Sequence, residues 1–97
     1  MHPTDCFEFR RRLDALTYRF EPCEPREGRA AWKRTNLDIW LVWVATKGWC
    51  TVDAAGTVNG RPWGVEVAEQ RNEPPEGEWL SKKADKSYVY DLVRVPG

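Results

Sequence analysis

The chain has 97 residues, of which 41% are hydrophobic and 31% charged, and six are tryptophan. That suffices for one modest core in a single domain over residues 1–97, with roughly 60–70% of the unfolded surface buried, and it is too apolar for a disordered chain. Fifteen basic and fifteen acidic residues leave no net charge, which argues against a protein that holds nucleic acid by bulk charge.

Residues 5–17, DCFEFRRRLDALT, carry Phe9, Leu13 and Leu16 at helical spacing. Asp5 and Glu8 are placed as a capping-box-like pair at the positive end of a helix dipole. This predicts an N-terminal helix, although the alternation of Phe7 and Phe9 keeps a strand reading open. Residues 21–28, EPCEPREG, read as a connecting loop because two prolines and a glycine break any periodicity. Arg29–Thr35 is expected to be a short strand with Trp32 turned inward.

Leu37–Val44, LDIWLVWV, is the stretch that the rest must be organised around. With period two, Leu37, Ile39, Leu41 and Trp43 share one face, and Trp40, Val42 and Val44 the other. Both faces are apolar, so the run reads as a strand buried on both sides. A turn at Thr46-Lys47-Gly48 makes Trp49–Val52 the return strand of a hairpin. Asp53-Ala54-Ala55-Gly56 has the residues of a type I turn, and Asn59-Gly60 is a strong turn dipeptide. Residues 65–78, VEVAEQRNEPPEGE, form an acidic loop. The remainder is a hairpin of Glu78–Lys83 and Ser87–Val95 joined at Ala84-Asp85-Lys86. The expected fold is α+β: a small antiparallel sheet of about four to six strands with one N-terminal helix packed on it.

No motif for nucleophilic, phosphate-binding or dinucleotide chemistry is present. The only histidine is His2, and Cys6, Cys23 and Cys50 include no C-x-x-C pair. The expectation is therefore no enzyme, no metal site and no cofactor. No apolar leader is visible and no run approaches the ~20 apolar residues of a membrane span. A reducing cytoplasm is the expected compartment, with no membrane partner.

Charge is segregated along the chain. Residues 1–36 carry eight basic and six acidic groups, residues 37–81 three and seven, and residues 82–97 four and two. Two surfaces follow. One is an acidic strip, Glu66, Glu69, Glu73, Glu76 and Glu78, flanked by Trp63 and Trp79 as interface anchors. It would imitate phosphates and occupy a partner's basic groove. The other is a basic pair of patches, Arg10, Arg11 and Arg12 with Lys82, Lys83 and Lys86, suited to a phosphate backbone. An ordinary solvated face is the simpler reading of each.

The stretches WKRTNLDIWLVWV, GRPW and PPEGEWLSKKADKSYVYDLV resemble small accessory proteins encoded by bacteriophages and prophages of Gram-negative bacteria. The resemblance spans about Phe9 to Val95, carries no catalytic motif and transfers no functional residue. It implies a non-enzymatic phage protein that binds a host protein or complex, an inhibitor of a host defence system such as CRISPR–Cas, and the charge pattern, not the resemblance, offers the acidic strip as the contact. The alternative is a small nucleic-acid-binding module using the basic patches.

Overall fold

The computed structural model describes residues 5–26, 28–83 and 85–96. Eight strands follow one another round a closed antiparallel barrel in sequence order. They are β1 (Cys6–Arg11), β2 (Thr17–Arg26), β3 (Arg29–Arg34), β4 (Ile39–Val44), β5 (Gly48–Asp53), β6 (Val58–Pro62), β7 (Gly77–Lys83) and β8 (Lys86–Val95). Closure comes from β1 against β8, paired from Cys6 opposite Val95 to Arg11 opposite Tyr90. A closed meander leaves no free edge along this seam.

The expected α+β fold is thereby corrected. Residues 6–11 are a strand, and the only helical turn described is a short 3₁₀ turn at Val67–Glu69. The helical spacing of Phe9, Leu13 and Leu16 is coincidental. Phe7 and Phe9 face the barrel interior, whereas Leu13 sits 78% exposed in the β1–β2 turn, with Leu16 also exposed. Pairing with strands on both sides outweighs a weak helical preference. The sheet has eight strands rather than four to six because β1, expected as helix, joins it together with β2 and β6, whose residues read largely as loop or turn. β2 runs on through Pro22 to Arg26. Its ladder with β1 ends at Phe20, so beyond that point it pairs only with β3 and tolerates a residue without an N–H. Asn59-Gly60 lies inside β6 rather than in a turn. Gly60 stands opposite Thr51, and a Cβ on it would meet the Thr51 hydroxyl oxygen at 2.5 Å. β6 also includes Pro62.

The two faces expected for Leu37–Val44 are observed within β4. Ile39, Leu41 and Trp43 belong to the interior cluster, and Trp40, Val42 and Val44 to a second cluster on the outer wall with Ala31, Cys50 and Val52. The outer cluster is roofed by Trp40, over which Arg26 and Lys33 stack. The expected β4–β5 and β7–β8 hairpins are present. Gly56 N–H donates to Asp53 C=O as a type I turn requires, and the Asp53 carboxylate accepts from Ala55 and Thr57.

The interior is filled by rings. Phe7, Trp32, Leu41, Trp49, Trp79 and Leu92 are each no more than 1% exposed. Phe7 meets Trp32 edge-on at 4.9 Å, and Phe9 meets Trp79 at 5.1 Å. Three indole N–H groups reach segments at the same end of the barrel. Trp32 donates to Asp5 C=O, Trp49 to Arg71 C=O and Trp79 to Pro75 C=O. The last two hold the long β6–β7 connection, residues 63–76, across that end. Gln70 accepts from the Trp49 backbone, Asn72 from Arg29, and Glu73 and Glu76 from Arg94. One end of the barrel is thus stoppered, and the other bears only short turns.

Candidate functional site: the open mouth of the barrel

At the turn-bearing end lies a cavity of about 300 Å³. An eight-stranded barrel is just wide enough to be filled by its side chains or to hold one small ligand. Which of these occurs depends on the residues in each layer. Next to the stopper the lining is tryptophan and leucine. Towards the mouth it becomes Thr51 on β5, Gly60 on β6 and Ser81 on β7, with Phe9, Tyr18, Phe20, Tyr88 and Tyr90 on the β1, β2 and β8 side. Three small residues on consecutive strands leave one wall low, and the opposite wall presents rings across the gap. The floor is Trp79 and Phe9 in edge contact.

Arg11, Arg34 and Lys82 border the cavity, and no aspartate or glutamate does. Arg11 on β1 and Arg34 on β3 occupy inward positions, whereas Lys82 alternates with the inward Ser81 on β7 and meets the cavity edge from the outer wall. Arg34 stacks on the Tyr18 ring at 3.7 Å and donates from Nε to Asn36. Arg11 lies over Tyr88 and is gripped by Asp14 at 2.6 and 2.9 Å. Its bond to Arg11 holds the Asp14 carboxyl at about 2, and the same bond raises the Arg11 guanidinium further above its ordinary value. Arg11 is therefore charged but already neutralised. Among the described residues, Arg34 and Lys82 have no carboxylate within 4.0 Å. Thr51 donates its hydroxyl to Asn59. Burial pushes the Tyr90 phenol above its ordinary value, which keeps it a neutral O–H at physiological pH.

The residues singled out by sequence are dispersed by the fold. Within the acidic strip, Glu66 and Glu69 cap the 3₁₀ turn reciprocally. Glu73 and Glu76 clasp Arg94, and Glu78 pairs with Arg12. All five are occupied in holding the stopper or the wall. Trp63 is 59% exposed, whereas Trp79 is a core residue. Arg10, Arg11 and Arg12 do not share a face. Arg10 pairs with Glu8, Arg11 with Asp14, and Arg12 with Asp91 and Glu78. Lys82 reaches the cavity edge, Lys86 is exposed on the β7–β8 hairpin, and the Lys83 side chain lies outside the described residues. His2 also lies outside them. Cys23 and Cys50 belong to the outer-wall cluster, where burial pushes both thiols up. Cys6 is buried at the start of β1.

Sequence reasoning did not single out Tyr18, Arg34, Thr51, Asn59, Ser81, Tyr88 or Tyr90. The available signal was a small polar residue, Thr51 or Ser81, two positions after a buried inward tryptophan, Trp49 or Trp79. Comparison with known protein families, curated proteins and solved structures gives no match.

Proposed function

We propose that this protein is a small ligand-binding barrel whose open mouth receives a compact apolar molecule among ring faces. The carrying observation is the cavity of about 300 Å³ at the mouth of a barrel that is otherwise filled. That volume is at the lower end of ligand pockets, which run from about 300 to 1,000 Å³, and a mostly apolar lining with a few convergent polar groups is their usual composition. The test is amide and side-chain NMR with a panel of one- and two-ring compounds. Shifts should centre on Tyr18, Thr51, Ser81 and Tyr88 and vanish in Ser81→Trp, which fills the gap. Shifts confined to the neighbourhood of Trp63, or none with any compound, would refute it.

A second reading is a phage accessory protein that acts by protein–protein contact. The contact, as distinct from the origin, is supported by Leu13, Leu16 and Leu37, which stand exposed on the β1–β2 and β3–β4 turns that flank the same mouth. That puts the contact at the mouth rather than on the glutamates of the stopper. Replacing Leu13 and Leu16 with aspartate should abolish partner capture while leaving small-ligand shifts in place. Capture that survives the double replacement but fails when Trp63 is changed would relocate the surface.

A further inference from the structure

We propose that the mouth cavity selects anions carried on a flat aromatic body, that is, compact aromatic carboxylates, sulfates or phosphates of one or two rings. This rests on the reading of the cavity as a ligand site and adds the chemistry of what it takes.

The first argument is charge. The chain as a whole is neutral, with fifteen groups of each sign, yet the lining holds three cations and no carboxylate. Asp14 neutralises Arg11. The Arg34 guanidinium spends Nε on Asn36 and stacks one face on Tyr18. The stacking and the bond orient its remaining N–H groups, and no described carboxylate competes for them. Arg presents paired donors that match the two oxygens of a carboxylate or the edge of a phosphate. A cationic ligand would find no carboxylate in the lining, since Asp14 on the β1–β2 turn is committed to Arg11. A neutral one would leave Arg34 and Lys82 unmatched as it displaced their water.

The second argument is shape. Tyr18 and Tyr90 have ring centroids 5.9 Å apart, Phe9 and Phe20 5.2 Å, and Phe9 and Tyr90 6.1 Å. A flat ring extends this set in the offset or edge-to-face manner that aromatic groups prefer. The third is depth. Beneath Trp79 and Phe9 the interior is occupied by Trp32, Leu41, Trp49 and Leu92, none above 1% exposed. A long acyl chain has nowhere to go, so the apolar part must be short and broad. The hydroxyls of Thr51, Ser81 and Tyr90 line the cavity and can satisfy polar edges of the ring system.

The experiment compares probes of one skeleton by isothermal titration at low salt: 2-naphthoate, naphthalene-2-methanol and naphthalen-2-ylmethylammonium, with octanoate as a flexible anion. The naphthoate should bind at least tenfold tighter than the alcohol and than octanoate, and the ammonium weakest. Arg34→Gln should reduce the preference for naphthoate over the alcohol by about tenfold without weakening the alcohol, and Arg34→Lys should retain most of it. Ser81→Trp should block both. Equal binding of naphthoate and alcohol, or a preference that survives Arg34→Gln, overturns the anion selectivity while the ligand-site reading stands. Octanoate as tight as naphthoate overturns the requirement for a flat body. If none of the four binds, the cavity is no ligand site and both fall together.

Discussion

Trp49→Phe tests whether the stopper is held by the indoles beneath it. Trp49 is fully buried, with its ring 6.0 Å from those of Trp32 and Trp43. Its Nε1 donates to Arg71 C=O at 2.9 Å. Phenylalanine removes about two ring carbons, worth roughly 1.5 kcal/mol at ~0.8 kcal/mol for each buried carbon. It also strands the Arg71 carbonyl, which adds about 1 kcal/mol. The sum is ~2.5 kcal/mol against a total stability of about 5–15 kcal/mol for a domain of this class. At ~4–8 °C per kcal/mol, Tm should fall by about 10–20 °C. Guanidinium and thermal unfolding followed by far-UV circular dichroism would measure it. Hydrogen exchange should further show faster exchange across residues 63–76, because the anchor of that connection is gone. Trp63→Phe, at an exposed position, should change stability by less than ~0.5 kcal/mol. A Trp49→Phe protein as stable as the parent, with unaltered exchange in the connection, would refute the account of the closed end.

Gly48 has φ +77°, and a Cβ there would meet the Gln70 amide at 2.5 Å, so Gly48→Ala combines left-handed strain of about 1–2 kcal/mol with loss of the Gln70 contact, lowering the urea midpoint. Ala15 holds φ 59° in the β1–β2 turn, so Ala15→Gly should stabilise by about 0.5–1 kcal/mol, read from the same titration. A thiol reagent should modify Cys23 in the native protein and reach Cys6 and Cys50 only in denaturant, as mass spectrometry of the labelled chain would show, because only Cys23 is partly exposed. Asp14 is held at about 2 by Arg11, and Arg12 lowers Asp91. Carboxylates with depressed folded values stabilise above their unfolded values and lose that contribution as pH falls through the folded ones. Stability should therefore decline between about pH 4 and pH 2, less steeply in the Asp14→Asn, Asp91→Asn double variant and less steeply in high salt, since both pairs are exposed.

Local patterns in the chain carried the hairpins. The two apolar faces of residues 39–44, the Gly48 turn and the alternation along 87–95 each involve neighbours in sequence and each appears in the barrel, while Leu37, expected on the inner face, stands exposed in the preceding turn. Closure was not legible. It depends on β1 finding β8, from Cys6 opposite Val95, and nothing local to residues 6–11 signals a partner that distant. Without that partner, Phe9, Leu13 and Leu16 look like a helix face. The arginine run misled for a related reason. On a helix, Arg10, Arg11 and Arg12 would crowd one outer arc, but on a strand and the turn after it they diverge, each to its own carboxylate. The acidic strip reads as surface from composition, yet Glu73 and Glu76 close on an arginine contributed by the last strand. The mouth was hidden because no motif marks it; it is defined by what several strands lack at one level.

That lack also explains the tryptophan content. Eight strands give a fixed circumference, and in so short a chain most strands, at five to seven residues, offer only two to four inward positions. Filling such a bore takes the largest side chains available, and Trp32, Trp49 and Trp79 do so at the stoppered end. Continuing the same choice to the other end would complete an ordinary core. Instead β5, β6 and β7 place Thr51, Gly60 and Ser81 at that level, and the rim carries unmatched positive charge. Leaving Ser81 small forgoes apolar burial worth roughly 1.5–3 kcal/mol for a large side chain in its place, whereas Gly60 is kept small by the Thr51 hydroxyl, which a Cβ would meet at 2.5 Å. The empty volume at the mouth follows from one wall of small residues, Thr51, Gly60 and Ser81, set opposite the rings of Phe9, Tyr18, Tyr88 and Tyr90.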